Sequence, residues 1–106
     1  MEWLIPQVDD DVTTWEKTLA TVLRGASDAN IGFDDLRQVL EHLGFVERVR
    51  GDHHIFWREG VVEILNLQPR NHQAKAYQVR QVREVIVRYH LAGGDDAQIR
   101  SDYLLE

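Results

Sequence analysis

The sequence contains no cysteine. This absence excludes disulfide bridges, thiolate nucleophiles and zinc sites with cysteine ligands, so any catalysis must use histidine, carboxylate, lysine or hydroxyl groups. Because the chain has five histidines among its 106 residues, these side chains become the first candidates for chemistry.

Long apolar runs are also missing. No stretch approaches the roughly 18 apolar residues that a membrane-spanning helix requires, and the acidic, Trp-containing N-terminus lacks the basic and apolar regions of a signal peptide. The length suits one domain, and the apolar (43%) and charged (28%) fractions are ordinary for a folded protein. We therefore expect a single cytoplasmic domain without membrane contact.

Positive charge is scarce, since the net charge is −6, which is unusual for a protein that binds nucleic acid. The charge is unevenly distributed, however. Residues 46–90 contain eight Lys and Arg residues against five Asp and Glu residues, whereas the segments on either side are acidic. Such a basic block permits phosphate binding, although the solvated faces of strands and helices would produce the same pattern.

The residue pattern predicts an α+β domain in the order helix, helix, strand, strand, strand, helix. We expect helices from Thr13 or Thr14 to Arg24, from about Phe33 to Leu43 and from about Ala74 to His90, and strands at 45–50, 53–58 and 61–67. The domain then covers residues 13–91. Residues 1–12, with Pro6 and three aspartates, are interpreted as an extended or flexible lead-in, and residues 92–106 as an acidic tail.

A three-stranded antiparallel sheet cannot bury both of its faces alone, so we expect the helices to pack on one face and a ligand to use the other. His53 and His54 follow the turn at Gly51-Asp52 and occupy successive strand positions. Their side chains should therefore point to opposite faces, which argues against a shared metal ion, and neither a metal nor a cofactor is expected. The simpler alternative to a functional site is that one histidine packs against the helices, the other is solvated, and neither takes part in chemistry.

One histidine is nevertheless sufficient to cleave RNA. The ribose 2′-hydroxyl is an internal nucleophile next to the phosphodiester, so a base that removes its proton and cations that steady the phosphate can break the strand. An imidazole can accept or donate a proton under cellular conditions. The candidate phosphate-binding residues are Arg48, Arg50, Arg58 and Lys75.

Residues 31–91 resemble the HicA family of type II toxin–antitoxin systems. The matching segments are Phe33–Leu36, Leu40–Phe45, Gly51–Phe56, Asn66–Pro69 and Lys75–Arg83. The resemblance implies a fold like that of double-stranded-RNA-binding domains, with the three-stranded sheet covered on one face, and an endoribonuclease that cleaves mRNA. It also implies an essential histidine at the start of the second strand. By motif position this residue is His54, with His53 as the alternate. Finally, the resemblance implies neutralisation by a HicB-like antitoxin.

Asp52 stands where the family segment commonly carries Ser. In a regular strand its carboxylate would share a face with His54 and could orient the imidazole, but the same charge would repel a phosphate and attenuate cleavage.

Two further hypotheses stay open: an RNA-binding or regulatory module of the same fold with weak or lost cleavage, and a purely protein-interacting domain. The helix ahead of the family core is expected either to extend the core or to provide a surface for a homo-oligomer.

Overall fold

The computed structural model describes residues 4–93, with side chains from residue 14 onward. Its elements, in chain order, are α1 (Leu4–Arg24), a short 3-10 helix (Asp28–Asn30), α2 (Phe33–His42), β1 (Val46–Arg50), β2 (His53–Trp57), β3 (Leu65–Leu67) and α3 (Ala76–Arg88). The predicted α+β class and the order of helices and strands are confirmed. Within residues 4–93, no helix combines the length and the apolar content needed to cross a membrane.

The predicted start of the first helix is wrong. α1 begins at Leu4 rather than at Thr13 or Thr14, so the backbone of residues 4–12 is helical instead of forming a lead-in. Pro6 falls within the first turn, where a backbone N–H has no partner inside the helix, and proline is therefore tolerated there. The predicted acidic tail lies outside the described residues, except for its first two positions.

The three strands form an antiparallel meander in the order β1-β2-β3, as predicted. The two-residue turn at Gly51-Asp52 pairs Arg50 with His53 and, further along, Glu47 with Phe56. Gly51 has a φ of 57°, a conformation that glycine adopts without steric cost and that suits the tight turn of a hairpin. This register determines which residues share a face of the sheet.

β3 is shorter than predicted, since only Leu65–Leu67 join the ladder. The preceding residues 61–64 are held by side chains of α3 instead of by a neighbouring strand. The backbone N–H of Val62 donates to the Tyr89 hydroxyl (3.3 Å), and that hydroxyl donates to Glu63 (2.7 Å), which also pairs with Arg88. Tertiary contacts thus override the β-branched composition of this segment.

The core lies between the sheet and the helices, which pack against one face of the sheet. Phe56, Leu65 and Leu67 from the strands are buried with apolar residues from all three helices: Val22, Leu36, Val39, Leu40, Val79, Val82 and Ile86. Full burial of one such side chain contributes about 1.5–3 kcal/mol. Within the described part of the chain the opposite face is open, as expected, and exposes Val46 and Trp57.

α2 ends where glycine was predicted to stop it. Gly44 has a φ of 96°, and the N–H groups of Gly44 and Phe45 donate to the carbonyls of Glu41 and Leu40 at 3.0 Å each. This is the hydrogen-bond pattern of a Schellman motif. Arg58 completes the helix end, because its Nε donates to the Leu43 carbonyl at 2.7 Å.

Candidate active site

The two histidines of β2 occupy opposite faces of the sheet, as strand alternation predicts. His53 is exposed on the open face, where its Nδ1 lies 3.2 Å from the side-chain oxygen of Asn66. His54 stands two residues before the buried Phe56 and shares the helix-covered face with it. The expectation of a ligand on the open face therefore does not fit His54, which is the histidine that the family motif selects.

Glu47 holds the imidazole of His54. Its Oε2 lies 2.6 Å from Nδ1 of His54, and its two oxygens accept hydrogen bonds from Nε and one terminal nitrogen of Arg37 at 2.8 and 3.0 Å. When the ring is neutral, the Nδ1–H donates to the carboxylate, so Nε2 carries the free lone pair. The arrangement leaves Nε2 available as a proton acceptor.

The carboxylate of Glu47 is ionised at neutral pH. The hydrogen bond from Arg37 lowers the pKa of Glu47 most, partial burial opposes this shift, and the contact with His54 lowers the pKa further. The carboxylate in turn raises the pKa of Arg37 above its ordinary value. A permanent negative charge therefore lies beside Nδ1 of His54, where it stabilises an imidazolium that has accepted a proton.

A cleft opens in front of His54 at the margin of the helix layer. Its volume is about 220 Å³, and it is lined by Gly32, Phe33, Asp34, Asp35, His54, Pro69 and His72. The Phe33 ring packs edge-on against His54, with ring centroids 4.8 Å apart. Only 15% of the His54 side chain is exposed, so the imidazole is restrained by its neighbours yet reachable through the cleft.

Asp52 does not orient His54, and the hypothesis that it would is wrong. The residue belongs to the exposed β1–β2 turn, outside β2, so the alternation of a regular strand does not apply to it. Glu47, on the neighbouring strand, supplies the carboxylate that contacts Nδ1. Asp52 remains an exposed charge beside the hairpin.

None of the four predicted phosphate-binding residues lines the cleft. Arg48 and Arg50 are exposed. They flank Val49, which pairs with His54, so strand alternation places both arginines on the open face. Arg58 caps the end of α2. Lys75 lies at the start of α3, with its Nζ 3.5 Å from the Gln68 side-chain oxygen. The basic block of the sequence is thus spread over several surfaces.

Sequence reasoning missed Glu47 and Arg37, although the hairpin contained a signal for the first. A two-residue turn pairs Val49 with His54, which places Glu47 diagonally across from His54 on the same face, within reach of a long side chain. Arg37 contacts Glu47 from α2, and its other terminal nitrogen donates to Asp34 at 3.0 Å. No local pattern marks that helix-to-sheet contact.

Among the described residues, no group of three or more histidine or acidic side chains is arranged to hold a metal ion. Comparison with known proteins adds no assignment: no family model, no curated protein and no solved structure matches this chain. The cleft and the residues around His54 are therefore the features that indicate a function.

Proposed function

We propose that this protein is an endoribonuclease of the HicA type, with the fold of a double-stranded-RNA-binding domain and with His54 as its general base. The observation that carries the proposal is the Glu47 contact, 2.6 Å from Nδ1 of a histidine that lines a cleft. A carboxylate behind an imidazole fixes its tautomer and stabilises its protonated form, which is what a general base requires.

In the proposed reaction the attacking and leaving groups both belong to the RNA. Nε2 of His54 accepts the proton of a ribose 2′-hydroxyl, and the 2′-oxygen attacks the adjacent phosphorus. The bond from phosphorus to the 5′-oxygen breaks with its electron pair on that oxygen, which takes a proton from an acid such as water, and the products are a 2′,3′-cyclic phosphate and a 5′-hydroxyl. The proton stays on His54 as an imidazolium beside Glu47 until solvent removes it. This chemistry requires no cofactor.

The proposal includes mRNA as the substrate and a HicB-like antitoxin as the protein partner. An antitoxin that covers the cleft would block access to Nε2 of His54, and this alone would inhibit cleavage. The cleft is small, about 220 Å³, so it can receive only a short part of the RNA backbone. This favours RNA that is single-stranded at the cleavage site, where the backbone can be splayed.

Incubation of end-labelled RNA with the wild-type protein and with His54→Ala tests the proposal. We expect the wild type to leave 2′,3′-cyclic phosphate ends and to spare RNA whose 2′-hydroxyls are methylated, because the internal nucleophile is then blocked. His54→Ala should cleave about 100-fold more slowly or worse, since general-base catalysis contributes about 10²–10⁴-fold. Equal cleavage by both proteins, or cleavage of the methylated RNA, would contradict the proposal.

A second candidate function is an RNA-binding module without turnover. The observation that favours it is the pair Asp34 and Asp35 in the cleft lining, because carboxylates there oppose the entry of a phosphate. Under this alternative, Arg37, Glu47 and His54 form only a structural ion network. RNA binding that weakens with salt, without any cleavage by the wild type, would support this function over the first.

A further inference from the structure

We propose that His72 is a second catalytic residue of this cleft, the general acid that protonates the leaving 5′-oxygen. The inference builds on the proposed endoribonuclease function and extends it. The observation behind it is that two histidines from separate parts of the chain, His54 of β2 and His72 of the loop before α3, line the same cleft. A general base for the 2′-hydroxyl and a general acid for the 5′-oxygen together accelerate phosphodiester cleavage more than a base alone.

The backbone at His72 is held in a conformation that histidine rarely adopts. Residues Arg70–Gln73 form a tight turn closed by two backbone hydrogen bonds of 2.9 Å, in which Asn71 and His72 have φ values of 52° and 66°. Turns with positive φ at both central residues usually carry glycine at the second of them. A histidine kept at this position fits the general observation that strained residues cluster at functional sites.

The same turn is fastened to the residues that position His54. The N–H of Phe33 donates to the His72 carbonyl at 2.9 Å, and the N–H of Ala74 donates to the Ile31 carbonyl at 2.9 Å. Phe33 also packs its ring against His54. One residue at the start of α2 therefore contacts both the backbone of one histidine and the ring of the other, so the two histidines are linked through Phe33.

The surroundings of the two imidazoles fit different roles. His54 has Glu47 behind Nδ1, which stabilises the charge that it gains as a base. His72 belongs to an exposed loop and shares the cleft with Asp34 and Asp35 from α2 and with His54 from β2. Arg70 belongs to the same turn but does not line the cleft. Asp34 is already paired with Arg37 at 3.0 Å, so Asp35 supplies the negative charge that is complementary to an imidazolium, the form in which a histidine donates a proton.

The proton balance closes across the pair. Nε2 of His54 takes the 2′-hydroxyl proton as the new bond from the 2′-oxygen to phosphorus forms. The bond from phosphorus to the 5′-oxygen breaks with its electron pair on that oxygen, and the His72 imidazolium supplies the proton. His54 ends protonated and His72 neutral, and exchange with water restores both. No oxidant, metal or further reactant takes part.

The test compares His72→Asn with His54→Ala on two RNA substrates, one ordinary and one with sulfur in place of the 5′-oxygen at the cleavage site. A thiolate leaves without being protonated, so a missing general acid matters only for the oxygen substrate. We expect His72→Asn to lose about 100-fold on the oxygen substrate and to cleave the sulfur substrate at close to the wild-type rate. His54→Ala should be slow on both.

Asparagine tolerates positive φ, so His72→Asn preserves the turn, and His72→Gly serves as a second variant with less backbone strain. His90→Asn is the matched control, because His90 is also exposed with a positive φ of 57° and is not part of the cleft lining. His90→Asn should cleave like the wild type. The melting temperatures of His72→Asn and His72→Gly should be no lower than that of His90→Asn.

Each outcome decides the matter. Normal cleavage of the oxygen substrate by His72→Asn overturns the role of His72 and leaves His54 as the base. Equal losses on both substrates also overturn it, since His72 would then position the RNA rather than donate a proton. If the wild type cleaves neither substrate, the endoribonuclease function itself fails and the role of His72 fails with it.

Discussion

His53 and His54 are neighbouring residues of the same strand with the same side chain, and the sheet separates them completely. His53 stands exposed on the open face and contacts the neutral side chain of Asn66 at 3.2 Å. His54 stands on the covered face, where Glu47 and Phe33 contact its ring, Arg37 holds Glu47, and a cleft gives access to the ring. The first histidine is solvated, whereas the second is fixed in place.

The difference shows that the chemistry of a histidine comes from its neighbours rather than from its presence. An imidazole in water samples many orientations, so it must be ordered before it can act on a bound substrate. Residues of α2 and β1 provide that order for His54: Phe33 belongs to the core and packs against the ring, and Arg37 pairs with the Glu47 carboxylate that contacts Nδ1. The two faces of the sheet should therefore respond very differently to matched substitutions.

The largest expected difference is in stability. Phe56→Ala removes a side chain that is only 1% exposed on the covered face, whereas Trp57→Ala removes one that is 38% exposed on the open face. We expect the free energy of unfolding to fall by about 3–5 kcal/mol for Phe56→Ala and by about 1 kcal/mol for Trp57→Ala, measured by urea denaturation. Similar losses for the two would mean that the open face is covered in solution.

A second comparison removes the partner of each histidine. Glu47→Gln keeps a hydrogen-bond acceptor beside His54 but removes its charge, and it should slow RNA cleavage by about tenfold or more, since hydrogen bonds to charged groups are worth about 1.5–3 kcal/mol. Asn66→Ala removes the contact of His53 and should leave the rate within about twofold of the wild type. Equally slow cleavage by Glu47→Gln and Asn66→Ala would contradict the assignment of the chemistry to the covered face.

The smallest expected effect concerns pH. Arg37 holds the pKa of Glu47 below its ordinary value near 4.5 in the folded protein. This contribution to stability is therefore present above the ordinary value and is lost as the pH falls through the lower folded-state value. At neutral pH, Glu47→Gln should be less stable than the wild type by about 1 kcal/mol, since the pair is partly exposed to solvent.

Urea denaturation at neutral pH and again below about pH 4 measures this contribution. The gap between the wild type and Glu47→Gln should close on acidification, while other carboxylates of low pKa, such as Asp28 beside Arg83, affect both proteins alike. A gap that widens toward acid would contradict the assignment of the Arg37–Glu47 pair.

Local rules predicted the hairpin and the positions of its side chains. The Gly51-Asp52 turn sets the register, the register sets the alternation, and both histidines lie on the faces that follow from it. Gly44 ends α2 as expected, because its left-handed conformation is a local property of the chain. The covered and open faces also follow from the number of strands alone.

The rest depends on contacts between distant segments, which no window of the sequence contains. Arg58 was expected at a phosphate and instead caps α2, since the fold brings it to the Leu43 carbonyl. His72 reaches the cleft only because its turn bonds to Phe33. The start of α1 was misplaced for a different reason, namely that proline breaks a helix interior but not a first turn.

The most direct test of the central claim is the single-turnover rate of RNA cleavage by His53→Ala and His54→Ala, measured beside the wild type. The account predicts that His53→Ala stays within about twofold of the wild type and that His54→Ala is slower by about 100-fold or more. A loss in His53→Ala that equals or exceeds the loss in His54→Ala would contradict it.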